Sequence, residues 1–597
     1  MASLVLGSPL IYANAPRENM QKRRCTTGLI TCSAVSETGS KEPVVVRRSA
    51  NYRPSHWDHH HVLSLRNKYA EEGEIQERAK LLKENVRKLL DEAEGPLNQL
   101  ELIDSLQRLG VSYHFDSEIS GILTEIYETR RNRSEKSRHS EDLHTIALEF
   151  RLLRQHGFTV SQDCFDVIKS LWGDVELEGS SEEDIKGLLS LYEASYLSMK
   201  SDSKLKEIRS YAKARLSEYV NESEKNDRNE SYLREMVIRT LEMPYHWRAR
   251  TLEARWYIDV YEKKHDMNTL LLDFAKHDFN IVQAFHQHDL KYVFSWWSKT
   301  GLKQLDFARD RILENYIWSA ELFHEPQFGY HRREVTKIFA LLTIIDDLYD
   351  VYGTHDELVC FTEAIKKWDM SLVEELPEYM RSCFLVLYKE INQIGRDILG
   401  DKKFDVIPYL RKAWTDITDT YLTEAKWHMS GYIPCFEEYM ENAWISIGAE
   451  TVLLHSFSVL SDTLTKETFD SLSEHRQPII RCSSFILRIA NDLVTSSEEM
   501  ARGDVQKSIQ CYMHETGATE TEAREHMMRV ISDAWDEMNY EKTTRSSLYH
   551  RRFLDAVIDL ARMAQCIYHY GDGLGCPEKA KTIDHIQSML INPIPLD

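Results

Sequence analysis

The sequence predicts an all-α protein made of two helical domains. Apolar residues recur at helical spacing along most of the chain, and 597 residues contain only 23 glycines and 14 prolines. Alternating β patterns are rare, and no Asn-Gly or Asp-Gly hairpin links strand-like runs. A chain of this length exceeds what one hydrophobic core supports, which argues for two domains.

Taken in order, residues 1–46 differ from the rest. They are rich in Ser, Thr and Ala, and the first forty hold only Glu18 and Glu37 as acids against Arg17, Lys22, Arg23 and Arg24. The positive charge follows the short apolar opening rather than preceding it, which argues against a secretory signal and for a plastid-type or mitochondrial transit peptide, the hydroxylated, acid-poor composition favouring the plastid. "IQERAKLLKENVRKLLDEA" then sets Ile75, Ala79, Leu82, Val86, Leu89 and Leu90 on one helical stripe. "LNQLELIDSLQRLGV" and "DLHTIALEFRLLRQHGF" repeat the pattern, each stopping at a glycine suited to a helix end, Gly110 and Gly157. Near "LEMPYHWRARTLEARWYIDVYEKKHDMN" Pro244 interrupts and a polar stretch follows. The domains are therefore predicted as 47–265 and 266–597.

With 42% hydrophobic and 28% charged residues the composition is globular. A net charge of −22 argues against nucleic acid and anionic lipid as partners. No apolar run is expected to span a bilayer. The ten cysteines are scattered without a CxxC pair, so neither a zinc framework nor a disulfide scaffold is expected. "HWDHHH" (His56, His59, His60, His61) lacks partners at ligand spacing and reads as solvated surface.

Chemistry concentrates in the C-terminal half. In "ALLTIIDDLYDV" an apolar helix runs into three aspartates. Asp346 and Asp350 share one face at i, i+4, with Asp347 about 100° round. Carboxylates at a core's edge repel one another unless something positive sits there. "RIANDLVTSSEEMARGD" supplies a second face: Asn491, Thr495 and Glu499 at i, i+4 and i+8 fall within about 80°. Oxygen-only donors suit Mg²⁺ or Mn²⁺. Two such faces could hold metal ions that in turn hold a polyanion. Arg309 and Arg311 of "RDR", and Arg488 beside Asn491, are the forked donors that phosphate oxygens favour. Alone, each motif is also compatible with a solvated helix end or a surface ion pair.

Together these motifs resemble those of plant class I terpene synthases, specifically the angiosperm monoterpene synthases, over nearly the full chain. The resemblance rests on "RRSANYRPSHW" (Arg47, Arg48, then Trp57), "RDR", "DDLYD", "NDLVTSSEE" and "YHYGDG" at 568–573. It implies a C-terminal class I terpenoid synthase fold and a catalytically silent N-terminal α-barrel. It implies that Asp346, Asp347, Asp350, Asn491, Thr495 and Glu499 bind three Mg²⁺ or Mn²⁺ ions around a substrate diphosphate. Asp346, Asp350 and Asn491 would then share the diphosphate site with Arg309, Arg311 and Arg488. Trp318 would offer a ring face to a carbocation, and Tyr568 and Asp572 would lie in the segment closing the pocket. Arg47 and Arg48 resemble the pair tied to isomerisation of geranyl to linalyl diphosphate; a purely structural clamp over the pocket is equally compatible. Gln506 where relatives show proline, and Leu348 where Ile or Val is commoner, are small departures. No DxDD string supports protonation-started cyclisation.

The expected activity is conversion of geranyl diphosphate to a cyclic monoterpene, or an alcohol if water enters. The alternatives are an acyclic monoterpene, or a sesquiterpene from farnesyl diphosphate. The expected state is a monomer or weak homodimer in the plastid. Product identity would depend on pocket residues such as Phe339 and Ile445.

Overall fold

Helical periodicity is realised throughout. The computed structural model describes residues 47–596 apart from 48, 71–72, 133–141, 171–180, 226–231, 475–476, 502, 546–548, 570 and 572–579. The leader 1–46, Arg48 and Asp572 lie outside the described residues. Among the described residues no β-strand forms.

After an extended segment and a short helix, the N-terminal half contains α1 (Gly73–Glu92), α2 (Pro96–Arg108), α3 (Asp116–Asn132) and α4 (Leu143–Gln155). It continues through α5 (Glu182–Ser195), α6 (Ser203–Lys225), α7 (Tyr232–Glu242) and α8 (Arg250–Tyr261). The predicted stripe of α1 buries Leu82, Val86 and Leu90. Asp142 caps α4 by accepting from the Thr145 amide at 2.9 Å. Helices α2 and α4 stop just before the two predicted glycines, each with positive φ.

The C-terminal half opens with α9 (Thr269–Thr300), α10 (Ile312–Leu322), α11 (Gly329–Asp347), α12 (His355–Lys367) and α13 (Glu378–Lys402). Next come α14 (Ile407–Ser430), α15 (Phe436–Ser446), α16 (Ala449–Leu460) and α17 (Lys466–Glu474). The series ends with α18 (Pro478–Ala501), α19 (Ser508–Thr516), α20 (Glu520–Arg545), α21 (Arg551–His569) and α22 (Ala580–Ile586). Helix α18 packs between α20 and α21, and α10 lies along α11. The position predicted for the domain break falls between the end of α8 and the start of α9.

The two halves meet through buried charges. Asp559 of α21, wholly buried, accepts from Arg250 of α8 and from Arg562 Nη1 at 3.0 Å. Beside this pair lies a cavity of about 1240 Å³, counting its open part, lined by Tyr113, Arg250, Lys542 and Asp555 among others. Its cations are matched: Lys542 donates to Asp555 at 3.1 Å, and Arg552 to Asp116 at 2.9 Å.

One apolar stretch reaches bilayer-spanning length without overturning the expectation that none spans. Residues Phe436–Leu460 are long and apolar enough to cross a bilayer, with mean hydropathy 1.3, but 94% of that window is buried inside the protein. The run is split between α15 and α16 and serves as core. Cys164, Cys360, Cys383, Cys435, Cys482, Cys511 and Cys566 are free thiols.

Candidate active site

Helix α11 is buried along Val335, Ile338, Leu341, Ile344 and Ile345 before it reaches the aspartates. The α-helix then ends at Asp347, and Leu348–Tyr352 form a π-helical turn rather than the continuous α-helix predicted. Such one-turn widenings are frequent at functional sites. Asp346 and Asp350 nevertheless line the same cavity, which spans about 880 Å³ including its open mouth. Helix α18 runs unbroken through the second motif, and Asn491 and Glu499 line that same cavity. Thr495, between them in sequence, is buried and does not line the cavity; its Oγ1 donates to the Asn491 carbonyl at 3.1 Å. The two distant segments therefore face one enclosed space.

Three cations share it: Arg309, Arg488 and Lys507. Arg309 Nη2 donates to Asp346 at 2.6 Å, while its backbone amide and Nε donate to Asp347 Oδ2 at 2.7 and 3.1 Å. Arg488 reaches Asn491 and pairs with Asp492 at 2.6 Å. Asp492 is itself fixed by the Tyr439 hydroxyl at 2.9 Å and the Ser508 amide at 3.1 Å. Lys507 Nζ lies 3.5 Å from Glu499.

Several predicted residues sit elsewhere. Asp347 does not line the cavity; turned round the helix from Asp346, it is wholly buried against Arg309. Arg311 also points away, its Nη2 donating to the Arg53 carbonyl at 2.9 Å. Arg47 is anchored outside the cavity, and Ile445 is buried behind its wall, whereas Phe339 lines it. His56, His60 and His61 are exposed, and the half-buried His59 bonds Ser298 Oγ at 2.7 Å. Sequence reasoning missed Lys507, Glu424 and Tyr421, all cavity-lining. Their only local signal is a charged or polar residue within an otherwise ordinary helix or loop.

The inner end is apolar and aromatic. Trp318 packs 5.9 Å from Phe339 and 6.3 Å from Tyr568, centroid to centroid, with Leu342, Val452 and Leu487 completing the wall. Ser446, Ile447, Gly448 and Ala449 form the bend between α15 and α16. Gly448 has φ +82, and an added Cβ would stand 3.1 Å from Leu342 Cδ1. Only glycine suits both constraints.

An extended N-terminal segment crosses the region of the aspartates. Arg47 donates to both oxygens of Glu357, at 2.7 and 2.8 Å, and to the Tyr352 carbonyl and Tyr379 hydroxyl, each at 3.1 Å. The Tyr52 ring faces the Arg309 guanidinium at 5.1 Å. Trp57, 8% exposed, pins the segment's far end in the core.

The electrostatics are those of a site awaiting positive charge. Burial, then the carboxylates of Asp346 and Asp504, push Asp350 well above the usual carboxylate range. Burial raises Asp347 and Glu424 as well, despite nearby cations. Burial opposes the charge on Lys507, but Glu499, Tyr439 and Asp504 outweigh it and hold the ammonium firmly protonated. Among the described residues, no three His, Cys, Asp or Glu side chains gather closely enough to hold a metal by themselves. Oxygens of Asp346, Asp350, Asn491 and Glu499 around one space fit hard divalent cations that complete their shells with water or phosphate oxygens. Acid-rich walls with three interspersed cations, backed by an aromatic end, define an enzyme-type cavity for an anionic head and a hydrocarbon tail.

Comparison with known proteins gives the lineage. A model described as "Terpene synthase, N-terminal domain" matches residues 56–241, and "Terpene synthase family, metal binding domain" matches 298–537. The 1,8-cineole synthase 1 of Arabidopsis thaliana, named chloroplastic, is 54% identical over 100% of this chain and 99% of its own. The chloroplastic (E)-beta-ocimene synthase of the same plant is 57% identical over 95% and 96% respectively. A crystal structure of limonene synthase with 2-fluorolinalyl diphosphate superposes with TM-score 0.86 at 40% identity, covering 92% of this chain and 100% of that one. Isoprene synthase from Populus x canescens, in complex with three Mg²⁺ ions and dimethylallyl-S-thiolodiphosphate, gives 0.79 at 39%, covering 91% and 99%. The chain belongs to the terpene synthase family, and its fold is the class I terpenoid synthase fold with an N-terminal helical domain.

Proposed function

We propose that the protein is a plastid monoterpene synthase that ionises geranyl diphosphate and converts it to a cyclic monoterpene, releasing diphosphate. The observation that carries this reading is the convergence of Asp346 and Asp350 with Asn491 and Glu499 on one cavity that also holds Arg309, Arg488 and Lys507. Full-length similarity to chloroplastic monoterpene synthases supports substrate and compartment. Residues 1–46 would be the transit peptide, with 47–265 and 266–597 as the domains.

Asp346, Asp350, Asn491, Thr495 and Glu499 would hold divalent cations, three by analogy with the isoprene synthase complex. Asp347 would act by orienting Arg309. When bound, Mg²⁺ or Mn²⁺ spreads the charge of the departing diphosphate, so that no proton donor is needed to expel it. Arg309, Arg488 and Lys507 take up that anion from the protein side. The allylic cation left behind lies against Trp318, Phe339 and Tyr568, whose ring faces favour positive charge. The N-terminal segment anchored by Arg47 limits water entry. Retention of diphosphate near the cation permits its return at the tertiary carbon, giving the linalyl isomer that can close a ring.

A second reading, an acyclic product, is favoured by the 57% identity to an ocimene synthase. Incubation of the protein with Mg²⁺ and either geranyl or farnesyl diphosphate, followed by chiral gas chromatography, tests both. Cyclic ten-carbon volatiles from geranyl diphosphate, absent with EDTA, are expected. No Mg²⁺-dependent volatile from either substrate would defeat the proposal.

A further inference from the structure

Arg309 is bonded to two aspartates at once, and only one of them faces the cavity. Its Nη2 neutralises Asp346, while its Nε and backbone amide hold the buried Asp347. A cation arriving at Asp346 competes with Nη2 for its carboxylate, and until the anion arrives the guanidinium then depends on Asp347 in a half-buried place. The remaining exposed side of the guanidinium is covered by the Tyr52 ring at 5.1 Å. Tyr52 belongs to the N-terminal segment, which is fastened on both sides of the aspartates. Arg47 bonds Glu357 and the Tyr352 carbonyl just after them, and the Arg53 carbonyl accepts from Arg311, two residues past Arg309. Burial, opposed by Arg309 and reinforced by Asp347, Asp346 and Asp350, also pushes the Tyr52 phenol far above its usual range, so its hydroxyl stays neutral beside those carboxylates.

We propose that Tyr52 is a positioning residue for the metal site: its ring supports the Arg309 guanidinium in place of Asp346, and so frees Asp346 to bind a divalent cation. This rests on the reading of the cavity as a metal–diphosphate site. A guanidinium over an aromatic face gains more as water is withdrawn from it, and here both partners are half-buried. Without the ring, Arg309 leans harder on Asp346, and the metal competes against a stronger ion pair. The N-terminal segment thereby acts on metal affinity as well as on water entry.

The test is thermal melting of the full chain titrated with Mg²⁺ in the presence of inorganic pyrophosphate. Tyr52→Leu keeps an apolar, smaller side chain without a π face, and Tyr52→Phe keeps the face without the hydroxyl. The Mg²⁺ midpoint of the melting shift should rise about tenfold in Tyr52→Leu and stay within about twofold of wild type in Tyr52→Phe. A lower metal-free melting temperature in Tyr52→Leu is compatible with either role, because the ring contact exists without metal, so the midpoint decides; saturating Mg²⁺ should restore the full shift in Tyr52→Leu. A purely structural role would lower the metal-free melting temperature without moving the midpoint. An unchanged midpoint in Tyr52→Leu, or an equal rise in Tyr52→Phe, overturns the proposal while leaving the metal site standing. No pyrophosphate-dependent shift in the wild type would overturn the metal-site reading and this inference together.

Discussion

Arg47 and Glu357, 310 residues apart, are joined by two parallel hydrogen bonds. Burial disfavours the Glu357 carboxylate, but bonds from Arg47, Thr354 and Tyr379 prevail and hold it at about 2. An acid with a depressed folded pKa stabilises the fold fully above its unfolded value and loses that contribution as pH falls towards 2. The clasp is therefore constant between pH 5 and 8. Arg47→Ala should accelerate amide exchange of residues 49–57 about tenfold, as loss of one charge-assisted contact predicts. It should also raise the water-quenched share of product, read by hydrogen-exchange mass spectrometry and gas chromatography.

Glu499 and Asp350, from segments far apart in sequence, line one cavity, so either neutral amide removes one anchor of the proposed cation cluster. Glu499→Gln and Asp350→Asn should each lower Mg²⁺-dependent diphosphate release by roughly a hundredfold. Stability should hardly change in Asp350→Asn, because burial already disfavours that carboxylate, whereas Glu499→Gln should lower it by weakening the compensation of buried Lys507. Equal loss of activity and melting temperature would point to misfolding instead.

His455 of α16 is buried and neutral, pushed by burial to about 4. Its Nδ1–H donates to the Thr451 carbonyl at 2.7 Å, leaving Nε2 to accept from Trp414 Nε1 at 3.4 Å. Protonation would set two N–H groups against each other. The unfolded chain binds the proton first, so stability should fall as pH drops from about 6.5 to about 4 and level off below. The span amounts to roughly 3 kcal/mol for this residue. His455→Leu should flatten that slope in urea titrations across pH 4–7.

Asp559 compensates both Arg250 and Arg562 at the seam between the halves. Asp559→Asn would leave buried guanidinium charge unbalanced and should cost about 3–5 kcal/mol. Equilibrium unfolding in urea measures it. A loss below about 1 kcal/mol would mean that water in the neighbouring cavity takes over the pairing.

Legibility in the sequence followed the range of the interaction. Helices set by their own stripe, such as the one carrying Leu82, Val86 and Leu90, were readable because periodicity is local. So were Asn491 and Glu499, which share a regular helix face. Asp347 was not: the spacing placed it off the Asp346 face, but only the fold shows Arg309 waiting for it there. The π turn at Leu348 and the inward reach of Lys507 depend on contacts between separate helices, for which a single chain offers no period to count.

The bend at Gly448 has an evolutionary corollary. A side chain there would crowd Leu342 and take a torsion that residues other than glycine rarely adopt, so substitution is strained. Ile447 and Ala449 flank it on the same wall without its positive φ. Divergence towards new scents should accumulate at those two neighbours, pivoting about a residue that stays put.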